Sequence, residues 1–164
     1  MGWLSHLLRP KVIHSPRLGI LNLIGNDAQP LIAGDRMALE YLFSSVEVSE
    51  KNIPICDTLM IYAQIDQGGR IRGSQDSFRE IIKQSTAPIV IVASENEGKN
   101  YIEAIKKTGY GQANFVVTLK RNGKAFANFF PQIFRQMYEG ISMPRAWVKL
   151  APQGGKASYE NCPD

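Results

Sequence analysis

The chain alternates short, continuous apolar runs with stretches whose apolar positions recur every three or four residues. After Pro16, "LGILNLI" (18–24) is such a run, halted by Gly25, Asn26 and Asp27. An apolar run this short, bounded by turn residues, predicts a buried strand. Leu39, Leu42, Phe43 and Val46 then follow the i, i+3, i+4, i+7 spacing of one helix face, and Asp35 is expected to cap that helix. The short "VEVS" (46–49) suggests an edge strand. "DTLMIYAQI" (57–65) and "APIVIVAS" (87–94) are the next buried strands. Between them, "DQGGRIRGS" (66–74) is rich in turn formers; Gly68 and Gly69 predict a hairpin turn with Arg70 and Arg72 facing water. Ser74 is expected to cap a helix turned inward through Phe78, Ile81 and Ile82.

Downstream, Ile102 and Ile105 mark a helix that Gly109 can close in the left-handed conformation. "NFVVTLK" (114–120) is the last strand. Asn128 is expected to cap a helix carrying Phe130, Ile133, Phe134 and Met137 and ending at Gly140. Pro144 sits in the first turn of another helix, which carries Trp147 and Leu150. Continuous apolar strands separated by amphipathic helices predict a three-layer α/β sandwich, caspase-like or flavodoxin-like. Its mostly parallel sheet of four to five strands is covered by helices on both faces. The pattern gives an N-terminal amphipathic segment (1–16), a single α/β domain (17–151) and a frayed C-terminal tail (152–164).

Composition narrows this little. The 164 residues suit one domain, and 44% hydrophobic with 21% charged residues is a globular balance. No apolar run approaches the roughly 20 residues of a spanning helix. The N-terminus lacks the basic region, apolar core and cleavage site of a signal peptide. Cys56 and Cys162 have neither disulfide-framework nor metal spacing, so a reducing cytoplasm is expected. Trp3, Leu4, Leu7 and Leu8 share one side of a short first helix and form a candidate contact with a partner or a membrane surface. His6 stands where a myristoylation motif needs Ser or Thr. The net charge of +4 is mildly basic.

In parallel sheets, ligands gather where the strands end at their carboxyl side. The candidate binding residues there are Asn26, Asp27, Asp66, Glu95, Asn96, Lys99 and Lys120. Ser94 ends the third long strand, yet "VASEN" is not the Gly-x-Ser-x-Gly elbow. The only histidines, His6 and His14, lie outside the predicted sheet, and a serine nucleophile needs a base within reach. "SENE" fits a capping box instead, with Ser94 and Glu97 exchanging bonds. No metal cluster, Walker lysine motif or G-x-G-x-x-G spacing is present, and no cofactor is expected. "LKRNGKAFANFF" mixes Lys120, Arg121 and Lys124 with Phe126, Phe129 and Phe130; phenylalanines at helical spacing read as core, so nucleic acid is not an expected partner.

The stretch from "DTLMIYAQ" to "PRAWVKLAPQ" resembles the CHAT domains, relatives of the caspase-like cysteine peptidases. In those domains one strand leads through an alanine into the catalytic histidine, and another leads into the catalytic cysteine. Here Gln64 stands at the histidine's place after "MIYA", and Ser94 at the cysteine's place after "VIVA". "ANFFPQIFRQMYEGISMPRAWVKLA" follows the family's closing helices, including Gly140 and Ala146. The segment from Leu18 to Cys56 is shorter than the family's usual one. The resemblance implies a caspase-like fold whose dyad is degenerate, kept for binding a protein or peptide rather than for cleavage. The alternative is a small-ligand protein, binding phosphate or nucleotide, or a cryptic hydrolase, with its site at the same strand edge.

Overall fold

A computed structural model describes residues 12–66, 70–73, 77–94, 115–120 and 123–150. Five strands form one sheet: β1 (Arg17–Asn22), β2 (Ser45–Ser49), β3 (Thr58–Tyr62), β4 (Ile89–Ser94) and β5 (Phe115–Lys120). All pairings are parallel, in the order β2-β1-β3-β4-β5. This is the doubly wound, flavodoxin-like order, in which the chain leaves β1 to one side and returns to its other side at β3. The expected edge strand at "VEVS" is β2, paired in register from Arg17↔Ser45 to Leu21↔Ser49.

The strands alternate their side chains between two apolar layers. Leu18, Ile20, Met60, Tyr62 and Ile91 point to one layer. There they meet α1 (Gln29–Leu39), α3 (Gly123–Tyr138) and α4 (Met143–Leu150) through Ile32, Leu39, Phe130, Ile133, Phe134 and Trp147. Leu21, Leu59, Ile61, Val90 and Val92 point to the other, against Phe78, Ile81 and Ile82 of α2 (Phe78–Gln84). Helices therefore cover both faces. Phe129 meets Trp147 edge-on at 5.1 Å, and Phe43 meets Phe134 edge-on at 5.0 Å, a favoured geometry for aromatic pairs. Arg135 donates to the Tyr41 hydroxyl at 2.7 Å, and the Tyr138 hydroxyl donates to the Leu42 carbonyl, which ties the end of α3 to the turn after α1.

Three helix starts differ from expectation. The first helix begins at Gln29, with Pro30 pre-set for its first turn. Asp35 thus caps nothing: it is mid-helix and buried, accepting from the Tyr62 hydroxyl at 2.6 Å. The helix ends at Leu39, a short 3-10 turn covers Glu40–Leu42, Phe43 is extended and Val46 belongs to β2. The helical spacing of Leu39, Leu42, Phe43 and Val46 arises because all four pack into one layer from different elements. The helix carrying Phe130 begins at Gly123, so Asn128 is an exposed interior residue. Burial of Phe129, Phe130, Ile133 and Phe134 holds that helix together across Pro131, which lacks an N–H to donate.

The cap of α2 is Ser77; Ser74, expected in that role, lies outside the described residues. The Ser77 hydroxyl accepts from the Glu80 amide at 3.2 Å, and the Glu80 carboxylate accepts from the Ser77 amide at 3.3 Å. This reciprocal box satisfies two amides that the helix itself leaves unpaired. Ser77→Ala is expected to destabilise the domain by about 1 kcal/mol, read as a lower urea midpoint with unchanged slope.

At the far end of α3, Gly140 does close the helix. Its φ is 88°, its N–H donates to the Met137 carbonyl at 3.0 Å, and the Ile141 N–H donates to the Gln136 carbonyl at 3.0 Å. Those two bonds make a Schellman end, and the positive φ explains why a glycine stands there.

Candidate functional site

The strand order reverses between β1 and β3, which makes the carboxyl ends of these two strands the switch point of the sheet. Asn22, the last residue of β1, organises the first loop. Buried to 2% exposure, its Oδ1 accepts from the Ile24 and Gly25 amides at 3.1 Å each, and its Nδ2 donates to the Gly25 carbonyl at 3.0 Å. Asn26 and Asp27 follow as exposed residues of a 3-10 turn leading into α1. This strand end makes a poor anion cradle. Two of its amides are taken by Asn22, Pro30 offers none, and Asp27 adds a negative charge.

At the end of β3 the chain enters a small hairpin. Ile65 bridges Ile71 and Arg70 bridges Ser77, both antiparallel. Ile65 and Ile71 are buried while Arg70 and Arg72 are exposed, as the alternation in "RIR" predicts. Residues 67–69, including the expected Gly68–Gly69 turn, lie outside the described residues. Asp66 holds Arg70 with both backbone and side chain: its N–H donates to the Arg70 carbonyl at 3.0 Å, and its Oδ1 accepts the Arg70 N–H at 2.9 Å. Gln64 is half-buried and held twice by Arg72. The Gln64 carbonyl accepts the Arg72 N–H at 2.8 Å, and its Oε1 accepts from Arg72 Nη1 at 3.3 Å.

Strands β3 and β4 are neighbours, paired up to Tyr62↔Ala93. Ala63 and Ser94 come one step beyond that pair, and Gln64 follows, so both strand ends leave the same edge of the sheet. On its other side Ser94 is in register with Lys120 at the end of β5. Glu95, Asn96 and Lys99 lie outside the described residues, as do the Ser94–Glu97 capping box, Gly109, and Trp3, Leu4, Leu7 and Leu8. Of the histidines, His14 is exposed and precedes β1 at the amino edge of the sheet, the edge opposite Ser94.

Sequence reasoning missed two polar groups. Asn22 could have been found, because an Asn followed three residues later by Gly is a turn signal. The Asp35–Tyr62 pair could not, since its members sit on different elements.

Cys56 is the one cysteine among the described residues. It is buried against Gly19 at the amino edge, with Sγ 3.4 Å from the Pro54 carbonyl. Burial pushes its thiol up from 9.0 to about 11, with Asp57 adding to the rise against a lowering backbone bond from Gly19. A thiol in that range is protonated at neutral pH and is no nucleophile. In a Cys162→Ser background, Cys56 is expected to resist alkylation by iodoacetamide until denaturant is added. Its folded value lies above the unfolded one, so its contribution to stability is full below about pH 9 and is lost as pH rises toward 11. A Cys56→Ala variant should lack that part of the alkaline decline in a urea titration.

Among the described residues, no three His, Cys, Asp or Glu side chains converge as a metal site, and no helix is long and apolar enough to cross a membrane. Phe129 and Phe130 are core, which removes two of the three aromatics from the candidate nucleic-acid stretch. No protein-family model, curated protein or solved structure matches the chain.

Proposed function

We propose that this domain binds a protein or peptide partner at the carboxyl edge of its sheet and does not cleave it. The observation that carries the reading is the fixing of Gln64. Both its backbone carbonyl and its side-chain oxygen are engaged by Arg72, at the strand end beside that of Ser94. In the CHAT-like reading these are the places of histidine and cysteine. A carboxamide cannot take up and release a proton near neutral pH, and a serine hydroxyl without a base is a weak nucleophile. Among the described residues, that edge carries the exposed Asn26, Asp27 and Asp66 beside the half-buried Gln64, polar groups suited to recognition. A reducing, cytoplasmic setting suits a chain that keeps Cys56 as a buried free thiol.

A displayed random-peptide library panned on the folded domain should enrich peptides whose binding weakens at least about tenfold when Gln64 is changed to alanine. The same peptides, incubated with the protein, should be recovered intact. Turnover that disappears in a folded Ser94→Ala variant would overturn the proposal.

The Ser94↔Lys120 pairing favours a second reading, an anionic small ligand held at the end of β4. Saturable thermal stabilisation by a nucleotide or inorganic phosphate, lost in Lys120→Ala, would select it over the peptide.

A further inference from the structure

We infer that the short arm Arg70–Ile71–Arg72 recognises an acidic, extended peptide carrying carboxylates on alternate residues. This names the partner chemistry of the proposed peptide-binding edge and rests on that reading. The arm is fixed on both sides: Ile71 is 2% exposed and bridged to Ile65, and Arg70 is bridged to Ser77. With Ile71 turned inward, Arg70 and Arg72 project to the same, solvent-facing side. Two residues of extended chain set them about 6.6 Å apart, the repeat at which an extended partner presents its own alternate side chains.

Neither guanidinium has an ion-pair partner among the described residues, where the ion pairs are Arg17–Asp57 and Arg36–Glu40. Arg72 gives Gln64 a side-chain bond through Nη1, and a guanidinium has five donors arranged to meet a carboxylate at two points. The bond to Gln64 orients the Arg72 side chain in advance, which lowers the ordering cost of binding. The chain's net charge of +4 adds long-range attraction for an acidic partner and repels a basic one.

The test uses the full chain and fluorescein-labelled ten-residue peptides in anisotropy titrations. One alternates Glu and Thr, one has the same composition with its glutamates in a block, and one alternates Lys and Thr. The alternating acidic peptide should bind saturably. It should do so at least about tenfold more tightly than either control, and weaken as salt rises. Arg70→Glu with Arg72→Glu, two surface changes checked for an unchanged circular dichroism spectrum, should abolish that preference. Equal binding of the alternating and block peptides, unchanged binding in the double variant, or full competition by inorganic phosphate would each overturn the inference. The library panning keeps the two proposals apart. Peptides that bind independently of Arg70 and Arg72 leave the binding reading standing and sink this one, whereas a library that yields no binder sinks both.

Discussion

Gly19→Ala is expected to destabilise the domain by about 1–3 kcal/mol, against the direction that strand propensity alone would give. In an unhindered strand, alanine is better than glycine by roughly 0.5–1 kcal/mol, because it orders the unfolded chain less expensively. Here a Cβ would lie 2.6 Å from Cys56 Sγ and 2.8 Å from Pro54 Cβ. Neither neighbour is the end of a long, flexible side chain, so β1 or the segment at 54–56 has to shift. Adding Cys56→Ala removes the closer contact and leaves Pro54 in place. The double variant should therefore recover part of the loss relative to the sum of the singles. Urea titrations of the four proteins in the cycle check this. A single Gly19→Ala variant more stable than the parent would show that the approach of β1 to this segment is looser than described.

The second large effect concerns the buried pair at the end of β3. Tyr62→Phe keeps the ring in the core and removes only the hydroxyl that donates to Asp35. Asp35 is 1% exposed, and removing one partner of a buried hydrogen bond costs roughly 1–3 kcal/mol. The variant should lose stability in that range. Asp35→Asn keeps an acceptor for the hydroxyl and should lose less. Combining Tyr62→Phe with Asp35→Leu should cost less than the sum of the two singles, since the two changes remove the two ends of one hydrogen bond. Strict additivity in that cycle would mean that the two side chains act independently.

How much of this was legible beforehand differs by kind of signal. "LGILNLI", "DTLMIYAQI", "APIVIVAS" and "NFVVTLK" announced β1, β3, β4 and β5, because a strand buried on both faces needs apolar residues at successive positions. The edge strand was legible too, since Val46 and Val48 alternate with polar neighbours. The helix starts at Gln29 and Gly123 were not: Gln29 follows Ala28, which is no conventional cap, and Asn122 ahead of Gly123 is by residue type no stronger a signal than Asn128. Pro30 at the first and the aromatic cluster of the second outweighed the local attraction of Asp35 and Asn128 as caps. At the site, the exposure of Arg70 and Arg72 followed from the apolar isoleucine between them. The grip of Arg72 on Gln64 did not, because it depends on how the hairpin folds back toward the end of β3.

The strand order also dictates how the protein emerges from the ribosome. β1 is made first yet lies inside the sheet, with neighbours on both edges that are synthesised later. The layer holding Leu18, Ile20, Met60, Tyr62 and Ile91 is roofed in large part by α3 and α4, the last described elements to be translated. A nascent chain halted before Gly123 would present that greasy surface uncovered, and this is the stretch of synthesis during which a chaperone has most to shield.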